Sequence, residues 1–409
     1  MTNKSPTFCI LPWIHLYISP TGEAHQCCIH NDPPGNAIGS TKFQTIDELA
    51  NAPRQKRMRL DMLEGKRCGE CSKCYEKEDL GIESFRQSVN KQFEHHTNLA
   101  DKTNADGSLD EFKMIYWDIR FSNLCNFKCR YCSEHLSSSW YEDKLKMTPE
   151  PQQEYWKKQN PKFRLAFDNS ETGWKQLEPH LDHVEKVYFA GGEPLLVPEH
   201  YRILDELIAR GKTDIEIQYN TNFSNLKIKG NLVTEYWKKF SNILIGASLD
   251  DEGERAELMR SGTEWNDIEE NIRLLRAEAP NVKFYVSSTV SVLNIWNVFS
   301  FHRRWMDEGL IGKHEAHINL LQYPEHYRLD MLTKSLKEKA KILIQTQIEW
   351  MGVKNIYTSE LESMLSFLMA EDRSYAIPKF KRITAQLDSI RGEDTYATIP
   401  ELKELLDYE

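Results

Sequence analysis

The sequence lacks long apolar runs and an excess of basic residues. No stretch of its 409 residues approaches the roughly 18 consecutive apolar residues that a membrane helix needs. The opening Met-Thr-Asn-Lys-Ser-Pro contains no apolar segment of the kind found in signal peptides, so we expect a cytoplasmic protein without a membrane partner. The 52 Lys and Arg stand against 62 Asp and Glu. This balance argues against a surface for duplex nucleic acid, because phosphate contacts need clustered basic residues.

The chain also lacks internal repeats and low-complexity tracts. With 40 % apolar and 28 % charged residues it is too apolar for a disordered protein. At roughly 150 residues per domain, its length predicts two or three domains. Its informative residues are nine cysteines, which fall in three groups: Cys9, Cys27 and Cys28; Cys68, Cys71 and Cys74; Cys125, Cys129 and Cys132.

The cysteine pattern predicts metal binding. An odd number of cysteines in a long chain without an export signal argues against a disulfide framework. The third group, C-x3-C-x2-C, can hold three irons of a [4Fe–4S] cube and leave the fourth iron open for a ligand. The alternative is a zinc loop with His135 as a remote ligand, but zinc sites usually pair two C-x2-C knuckles, and this spacing does not.

The third group resembles the cluster motif of the radical S-adenosylmethionine (SAM) superfamily, with an aromatic residue, Tyr131, before the last cysteine. About sixty residues later, a strand-like run ends in a segment that resembles the family's GGEP motif, which holds the SAM amino group. Two adjacent glycines let the backbone approach a ligand closely. The segment consists of Gly191, Gly192, Glu193 and Pro194.

Further matches to this family follow in the expected order. Asn220 and Asn222 close one strand-like run, and Ser248 and Asp250 close the next. They are similar to the family's strand ends that meet the SAM ribose and carboxylate. Arg260 is similar to an arginine that pairs with that carboxylate. Turn formers and a solvated arginine are the alternative interpretation of these five residues.

The front cysteines have their own pattern. A strand over Trp13–Ile18 and a tight turn at Ser19–Gly22 predict a β-hairpin, which brings Cys9 and Cys27 to the same end. A helix is expected over Thr45–Glu64, before the remaining three cysteines of the front region.

This order resembles the SPASM/twitch module of radical SAM peptide maturases, although that module normally follows the barrel and here precedes it. The resemblance implies one auxiliary [4Fe–4S] cluster. We expect its ligands to be Cys9, Cys27, Cys71 and Cys74, with Cys68 a near-equal candidate and Cys28 the spare thiol. A structural zinc is the alternative, because a hairpin with C-x2-C also describes a zinc ribbon.

Strand and helix signals alternate after a polar linker at 95–110, which indicates parallel strands joined by right-handed crossovers. Strands are expected over Met114–Phe121, Val184–Ala190, Asp214–Tyr219, Ile243–Leu249, Val282–Val290 and His314–Leu321. Helices are expected over Pro198–Arg210, Asn231–Phe240, Glu264–Ala277, Ile295–Glu308, Leu329–Gly352 and Thr358–Glu371.

The predicted fold class is therefore α/β. The resemblance implies a partial (β/α)6 barrel over 111–325, after a β-hairpin/helix iron–sulfur module at 1–94 and before a helical C-terminal region at 326–409. A helical insertion is expected at 133–183, with seven aromatics interpreted as its core: Trp140, Tyr141, Tyr155, Trp156, Phe163, Phe167 and Trp174.

The resemblance implies reductive cleavage of SAM to a 5′-deoxyadenosyl radical, which removes hydrogen from a substrate. A precursor peptide is the favoured substrate, modified by crosslinking, epimerisation or backbone excision. A sugar or nucleoside dehydrogenase or isomerase is the alternative, and a non-enzymatic zinc or electron-transfer protein is disfavoured. Expected partners are a separate leader-peptide recognition protein and a flavodoxin- or ferredoxin-type reductant. For redox-neutral epimerisation, Cys28 is the candidate hydrogen donor.

Overall fold

The computed structural model describes residues 4–31, 36–228 and 230–408. Its strands are β1 (His15–Ile18), β2 (Glu23–His25), β3 (Gly39–Ser40), β4 (Tyr116–Ile119), β5 (Lys128–Cys129), β6 (Lys186–Phe189), β7 (Glu216–Thr221), β8 (Lys227–Ile228), β9 (Asn231–Leu232), β10 (Asn242–Ala247), β11 (Arg260–Ser261), β12 (Lys283–Val290) and β13 (Ala316–Leu320). Its α-helices are α1 (Leu11–Ile14), α2 (Ile46–Ala50), α3 (Pro53–Leu63), α4 (Ser72–Asp79), α5 (Phe85–Gln92), α6 (Trp140–Met147), α7 (Glu150–Gln159), α8 (Ser170–Leu177), α9 (Pro198–Ala209), α10 (Thr234–Trp237), α11 (Gly253–Met259), α12 (Trp265–Glu278), α13 (Val298–Asp307), α14 (Lys334–Val353), α15 (Ser359–Ala370), α16 (Ile377–Arg391) and α17 (Thr395–Thr398).

Short 3₁₀ helices lie at Gly69–Cys71, Glu94–Lys102, Glu178–His180, Pro194–Leu196, Glu325–Tyr327, Leu329–Met331, Ser374–Ala376 and Pro400–Leu405. The fold is mixed α/β with a largely parallel sheet consistent with a partial barrel, which confirms the predicted fold class.

The chain divides into two compact units, of which the first comprises Met1–Asn123, Phe163–Gln218 and Phe240–Asn242. Its strands lie side by side in the order β6, β4, β1, β2, β3. Strand β1 runs parallel to β4, with Tyr17 opposite Asp118, and β4 runs parallel to β6, with Asp118 opposite Tyr188. The front hairpin therefore continues the sheet of the strand that precedes the third cysteine group.

Two predictions for the first unit are wrong in detail. The single helix expected over Thr45–Glu64 is two helices, α2 and α3. Thr45 and Glu48 form a capping box at the start of α2, and Pro53 occupies the first turn of α3, where a missing backbone N–H costs little. The stretch interpreted as a linker, 95–110, lies partly in the 3₁₀ helix Glu94–Lys102, which is held by side-chain hydrogen bonds rather than by an apolar face.

The second unit comprises Leu124–Lys162, Tyr219–Lys239 and Ile243–Glu409. Strands β10, β12 and β13 run parallel, and the segment after β12, including Val292 and Leu293, packs into one apolar core with Leu336, Met364 and Phe380 of the C-terminal helices. The sequence did not predict α16. This helix buries the side chains along one of its faces and ends at Gly392, which has the left-handed conformation that favours glycine.

The prediction of a helix over Asn231–Phe240 is wrong in extent: the chain first forms the short β8–β9 pair, and only the four-residue helix α10 follows it. Within the described part of the chain, no helix combines the length and apolar character needed to cross a membrane.

The aromatic residues of 133–183 form a core only in part. Trp140, Phe167 and Trp174 are buried, as expected. Tyr155 and Phe163, in contrast, are 71 % and 57 % exposed. The core interpretation is wrong for these two residues because α7 and the segment after it lie at the surface, and α7 buries no residue.

Candidate active site and auxiliary metal centre

The third cysteine group forms a compact loop in the second unit. Cys129 is buried in β5, which pairs antiparallel with β11 so that Cys129 lies opposite Arg260. The backbone N–H of Cys132 donates to the carbonyl of Cys129 at 2.9 Å, and Ser139 Oγ donates to the carbonyl of Cys125 at 2.7 Å. These bonds fix the backbone at all three cysteines while leaving the thiols of Cys125 and Cys132 half-buried.

Arg260 connects this loop to Asp250. Its Nε donates to Asp250 Oδ2 at 2.6 Å, and its Nη1 lies 3.5 Å from the sulfur of Cys129. The guanidinium also lies over the ring of Tyr131, 5.5 Å from the ring centroid. Burial opposes the charge on Arg260, but the Asp250 carboxylate outweighs it and raises the pKa of the guanidinium. Three residues predicted from the sequence therefore adjoin the cysteine loop.

Asn220 presents a buried acceptor in the same unit. Its Oδ1 has no hydrogen-bond partner among the residues that the structure describes. Gly246 keeps the space beside it open, because a Cβ at this position would lie 2.9 Å from Asn220 Oδ1 and 2.7 Å from the hydroxyl of Tyr285. A buried acceptor without a partner costs free energy unless a ligand satisfies it.

The other polar strand ends are hydrogen-bonded. Asn222 Nδ2 donates to Asn126 Oδ1 in the cysteine loop at 2.8 Å. The backbone N–H of Ser248 donates to the carbonyl of Thr221 at 2.8 Å, which places the backbone of Ser248 next to the end of β7. Both predicted residues thus lie at strand ends, as the sequence indicated.

The GGEP segment follows β6 in the first unit. Gly191 and Gly192 have φ angles of +79° and +54°, which L side chains rarely adopt. A Cβ on Gly191 would lie 2.7 Å from the side chain of Arg120, so the glycine also permits this close packing. Glu193 is buried and accepts from the backbone N–H of Leu195 at 3.1 Å, and Pro194 begins the next 3₁₀ helix.

Four front cysteines line one small cavity in the first unit. They are Cys9, Cys27, Cys71 and Cys74, the set expected from the sequence. Burial raises the pKa of the Cys9 thiol to about 12 and also raises the pKa of Cys27 and Cys71. Bound thiolates at this position need a compensating positive charge, which a metal centre supplies. Arg86, which also lines the cavity, adds one cation.

The two remaining front cysteines lie elsewhere. Cys68 does not line the cavity, and its sulfur approaches the carbonyl of Met58 at 3.9 Å. Cys28 lies close to Asp118 and Arg120, whose charges act on its thiol in opposite directions. Neither lines the cavity, although Cys68 lies within electrostatic range of Cys9 and Cys71, and Cys28 within range of Cys27.

Comparison with known proteins identifies both cysteine regions. Residues 119–295 match the Radical SAM superfamily, and this range contains the cysteine loop, the GGEP segment and Arg260. Residues 9–75 match SPASM, an iron–sulfur cluster-binding domain, and this range contains all six front cysteines. The chain belongs to the radical SAM superfamily. Its SPASM iron–sulfur cluster-binding domain is N-terminal.

Several solved structures are similar to this chain, all at low sequence identity. Native anSMEcpe with bound AdoMet and Cp18Cys peptide is 17 % identical, with a TM-score of 0.36, and the match covers 58 % of this chain and 61 % of that one. Native anSMEcpe with bound AdoMet is 18 % identical, with a TM-score of 0.37 and coverage of 67 % and 66 %. TYW1 with a lysine–pyruvate adduct bound is 15 % identical, with a TM-score of 0.29 and coverage of 57 % and 70 %. No curated protein matches this chain.

The residues present fit the cofactors of a radical SAM enzyme. The three-cysteine loop offers thiols without a fourth protein cysteine, Asn220 offers an unsatisfied acceptor, and the front cavity offers a separate set of four thiols. Few polar contacts to a cluster's sulfurs favour a low potential. Two such contacts are present in this loop, from Arg260 Nη1 to the sulfur of Cys129 and from the backbone N–H of Phe127 to the sulfur of Cys125, both at 3.5 Å.

Sequence reasoning missed one polar group of the first unit. Asp118, fully buried on β4, lies 2.9 Å from Nε of Arg120, and Arg120 lies over the rings of Tyr17 and Tyr188. Burial raises the pKa of Asp118, although Arg120 opposes this shift. A signal was available, because Asp118 and Arg120 are charged residues in and directly after a strand that is otherwise apolar or aromatic.

Proposed function

We propose that this radical SAM enzyme modifies a ribosomally synthesised precursor peptide in the cytoplasm. Cys125, Cys129 and Cys132 would hold the SAM-binding [4Fe–4S] cluster. An auxiliary [4Fe–4S] cluster would bind to Cys9, Cys27, Cys71 and Cys74. The observation that carries the proposal is the presence of two separate thiol sites, one of them a four-thiol cavity within the SPASM domain.

When bound, the cluster and SAM supply a 5′-deoxyadenosyl radical that abstracts hydrogen from the substrate. The protein supplies position and exclusion of water. By resemblance to the GGEP motif, the backbone at Gly191 and Gly192 and the carboxylate of Glu193 would bind the SAM amino group. Asn220 supplies an acceptor for the ribose, while Asp250 orients Arg260 toward the SAM carboxylate. Cys9, Cys27, Cys71 and Cys74 would hold an auxiliary cluster, which would supply electron transfer or a site for the substrate.

A redox-neutral epimerisation is the peptide modification that one contact favours. The thiol of Cys28 does not line the four-thiol cavity and lies close to Asp118 and Arg120. Its hydrogen atom would pass to the substrate carbon radical, forming a C–H bond and leaving a thiyl radical. One electron from the external reductant and one proton would then restore the thiol. The hypothesis fails if Cys28→Ala keeps full turnover and normal deuterium incorporation from solvent.

A small-molecule dehydrogenase or isomerase is the second candidate. The peptide reaction would require a separate leader-recognition protein, and both reactions would require a flavodoxin- or ferredoxin-type reductant.

Anaerobic reconstitution tests the proposal directly. About eight irons per chain, with 5′-deoxyadenosine formed after addition of dithionite, would support two clusters. About four irons with one zinc and the same product would assign the front site to a structural zinc ion. Co-expression with short neighbouring reading frames, followed by mass spectrometry, distinguishes the substrates. A mass change or new stereocentre in a peptide supports the peptide assignment, and stimulation of 5′-deoxyadenosine only by sugars or nucleosides overturns it.

A further inference from the structure

Two consecutive histidines converge on one carboxylate in the first unit. Nε2 of His95 lies 2.9 Å from Oε2 of Glu185, and Nε2 of His96 lies 2.7 Å from Oε1 of the same side chain. One ligand atom from each residue lies within 4.8 Å of the other two. The convergence is unusual, because consecutive side chains on a 3₁₀ helix diverge by a third of a turn, yet these two ring centroids are 4.1 Å apart.

We propose that His95, His96 and Glu185 form a binding site for a divalent zinc-class cation. Two imidazole nitrogens and one carboxylate oxygen are ligands that zinc accepts, and three protein ligands leave a fourth position for water. The side chains are 58 %, 21 % and 41 % exposed, respectively, so an ion from solvent can reach them. Binding would replace two hydrogen bonds to Glu185 by two metal–nitrogen bonds and one metal–oxygen bond.

The backbone around the site is fixed before any ion binds. Glu185 donates its N–H to the carbonyl of Ile115 and accepts from the N–H of Glu216, both at 2.9 Å. The N–H of His96 donates to the carbonyl of Phe93 at 3.0 Å. Ligands on a fixed backbone lose less entropy when they bind a metal, which favours a defined site over a chance surface contact.

The neighbouring cation does not compete with the proposed ion. Lys186 follows Glu185 directly, but its Nζ lies 2.7 Å from Oε1 of Glu216 and 3.3 Å from Oε1 of Gln92. Its charge is thus directed toward another carboxylate, and Glu185 retains its negative charge for the two histidines and the ion.

The position of the site indicates a structural role. Glu185 precedes β6, whereas the GGEP segment follows the other end of the same strand. A metal ion at this end cannot touch SAM or the substrate radical, and it would join the 3₁₀ helix Glu94–Lys102 to the start of β6. Its effect should therefore be on stability rather than on SAM cleavage.

Zinc titration of the reconstituted holoenzyme tests the site. We expect one zinc ion per chain by calorimetry and by elemental analysis after gel filtration, with an accompanying rise in the melting temperature. The double variant His95→Ala/His96→Ala and the variant Glu185→Gln should weaken zinc binding by at least about 10–100-fold. His314→Ala, which removes an exposed histidine elsewhere, is the matched control and should bind as the unmodified protein does.

Either of two results would overturn the site: no saturable zinc binding by the unmodified holoenzyme, or equal binding by the double variant. Melting temperatures without zinc establish that each variant is folded. Because the readout is zinc and not 5′-deoxyadenosine, failure of this site is distinguishable from failure of the proposed peptide reaction.

Discussion

The guanidinium of Arg130, between two cysteines of the radical SAM loop, forms an ion pair with Asp388, which lies 258 residues later on α16. Glu393, just beyond the same helix, pairs with the same guanidinium. Arg130 is almost fully buried, and its Nε donates to the carbonyl of Leu258 at 3.2 Å. A second link joins Arg391 of α16 to Asp143 of α6 at 2.8 Å. The C-terminal helix therefore supports the cluster loop, although it lies outside residues 119–295.

Removal of both carboxylates should release the loop. In Asp388→Asn/Glu393→Gln the buried Arg130 charge has no counter-ion, which costs about 3–5 kcal/mol of stability. We expect a lower melting temperature and reconstitution with about four irons instead of about eight. Glu171→Gln is the matched control, because it breaks the solvent-exposed pair with Arg202 and should change stability by less than about 1 kcal/mol. Full iron content in the double variant would refute this role for α16.

The cysteine sites could be predicted from the sequence because their information is local. Three cysteines within eight residues can reach one cluster whatever the rest of the chain does, and two adjacent glycines mark a turn by their own conformational freedom. The hairpin placed Cys9 near Cys27 for the same reason, since a tight turn fixes which residues lie opposite.

The supporting contacts could not be predicted in this way. The pair of Arg130 with Asp388 depends on tertiary folding, and no periodicity links residues 258 positions apart. Side-chain type also misled the interpretation of the insertion, because an aromatic residue predicts burial only on average, and Tyr155 is exposed. Asp118 was overlooked because a strand pattern indicates which face a residue occupies but not which charged groups meet there.

Cysteine variants should separate the two clusters. Replacing Cys125, Cys129 and Cys132 by Ala should abolish 5′-deoxyadenosine and leave about four irons. Replacing Cys71 and Cys74 should also remove about four irons but retain SAM cleavage in the absence of substrate. Cys68→Ala, whose thiol lies outside the four-thiol cavity, is the matched control and should retain about eight irons. Iron and sulfide assays measure the outcome. Loss of iron in Cys68→Ala would show that Cys68 is a cluster ligand in place of one of the proposed four.

A buried carboxylate in the second unit should make stability fall as pH rises. Burial raises the pKa of Asp251 from 3.8 to about 7, although Asn297 donates to its Oδ1 at 2.6 Å. Between these values the unfolded chain loses the proton while the folded protein keeps it. The contribution of Asp251 to the free energy of unfolding is therefore fully present below about pH 4. It declines between about pH 4 and about pH 7, by at most about 4 kcal/mol.

Asp251→Asn should remove this dependence. Its melting temperature relative to the unmodified protein should rise steadily from pH 5 to pH 8, whatever the constant cost of the substitution. Asp205→Asn, an exposed carboxylate on α9, is the control and should show a nearly constant difference. Parallel curves for Asp251→Asn and the unmodified protein would mean that Asp251 ionises normally in the folded state.

Gly246→Ala should weaken SAM binding without removing iron. The added Cβ would lie 2.7 Å from the hydroxyl of Tyr285 and 2.9 Å from Asn220 Oδ1, so one of these groups must move. Displacing Asn220 Oδ1, the acceptor proposed for the SAM ribose, should weaken the free energy of SAM binding by about 1–3 kcal/mol, or raise the Kd about 5- to 150-fold. Gly352→Ala on α14 is the matched control, because its Cβ would meet no atom within 4 Å. Equilibrium binding of SAM to the reconstituted protein measures the difference, and an unchanged Kd in Gly246→Ala would show that the space beside Asn220 is not used by SAM.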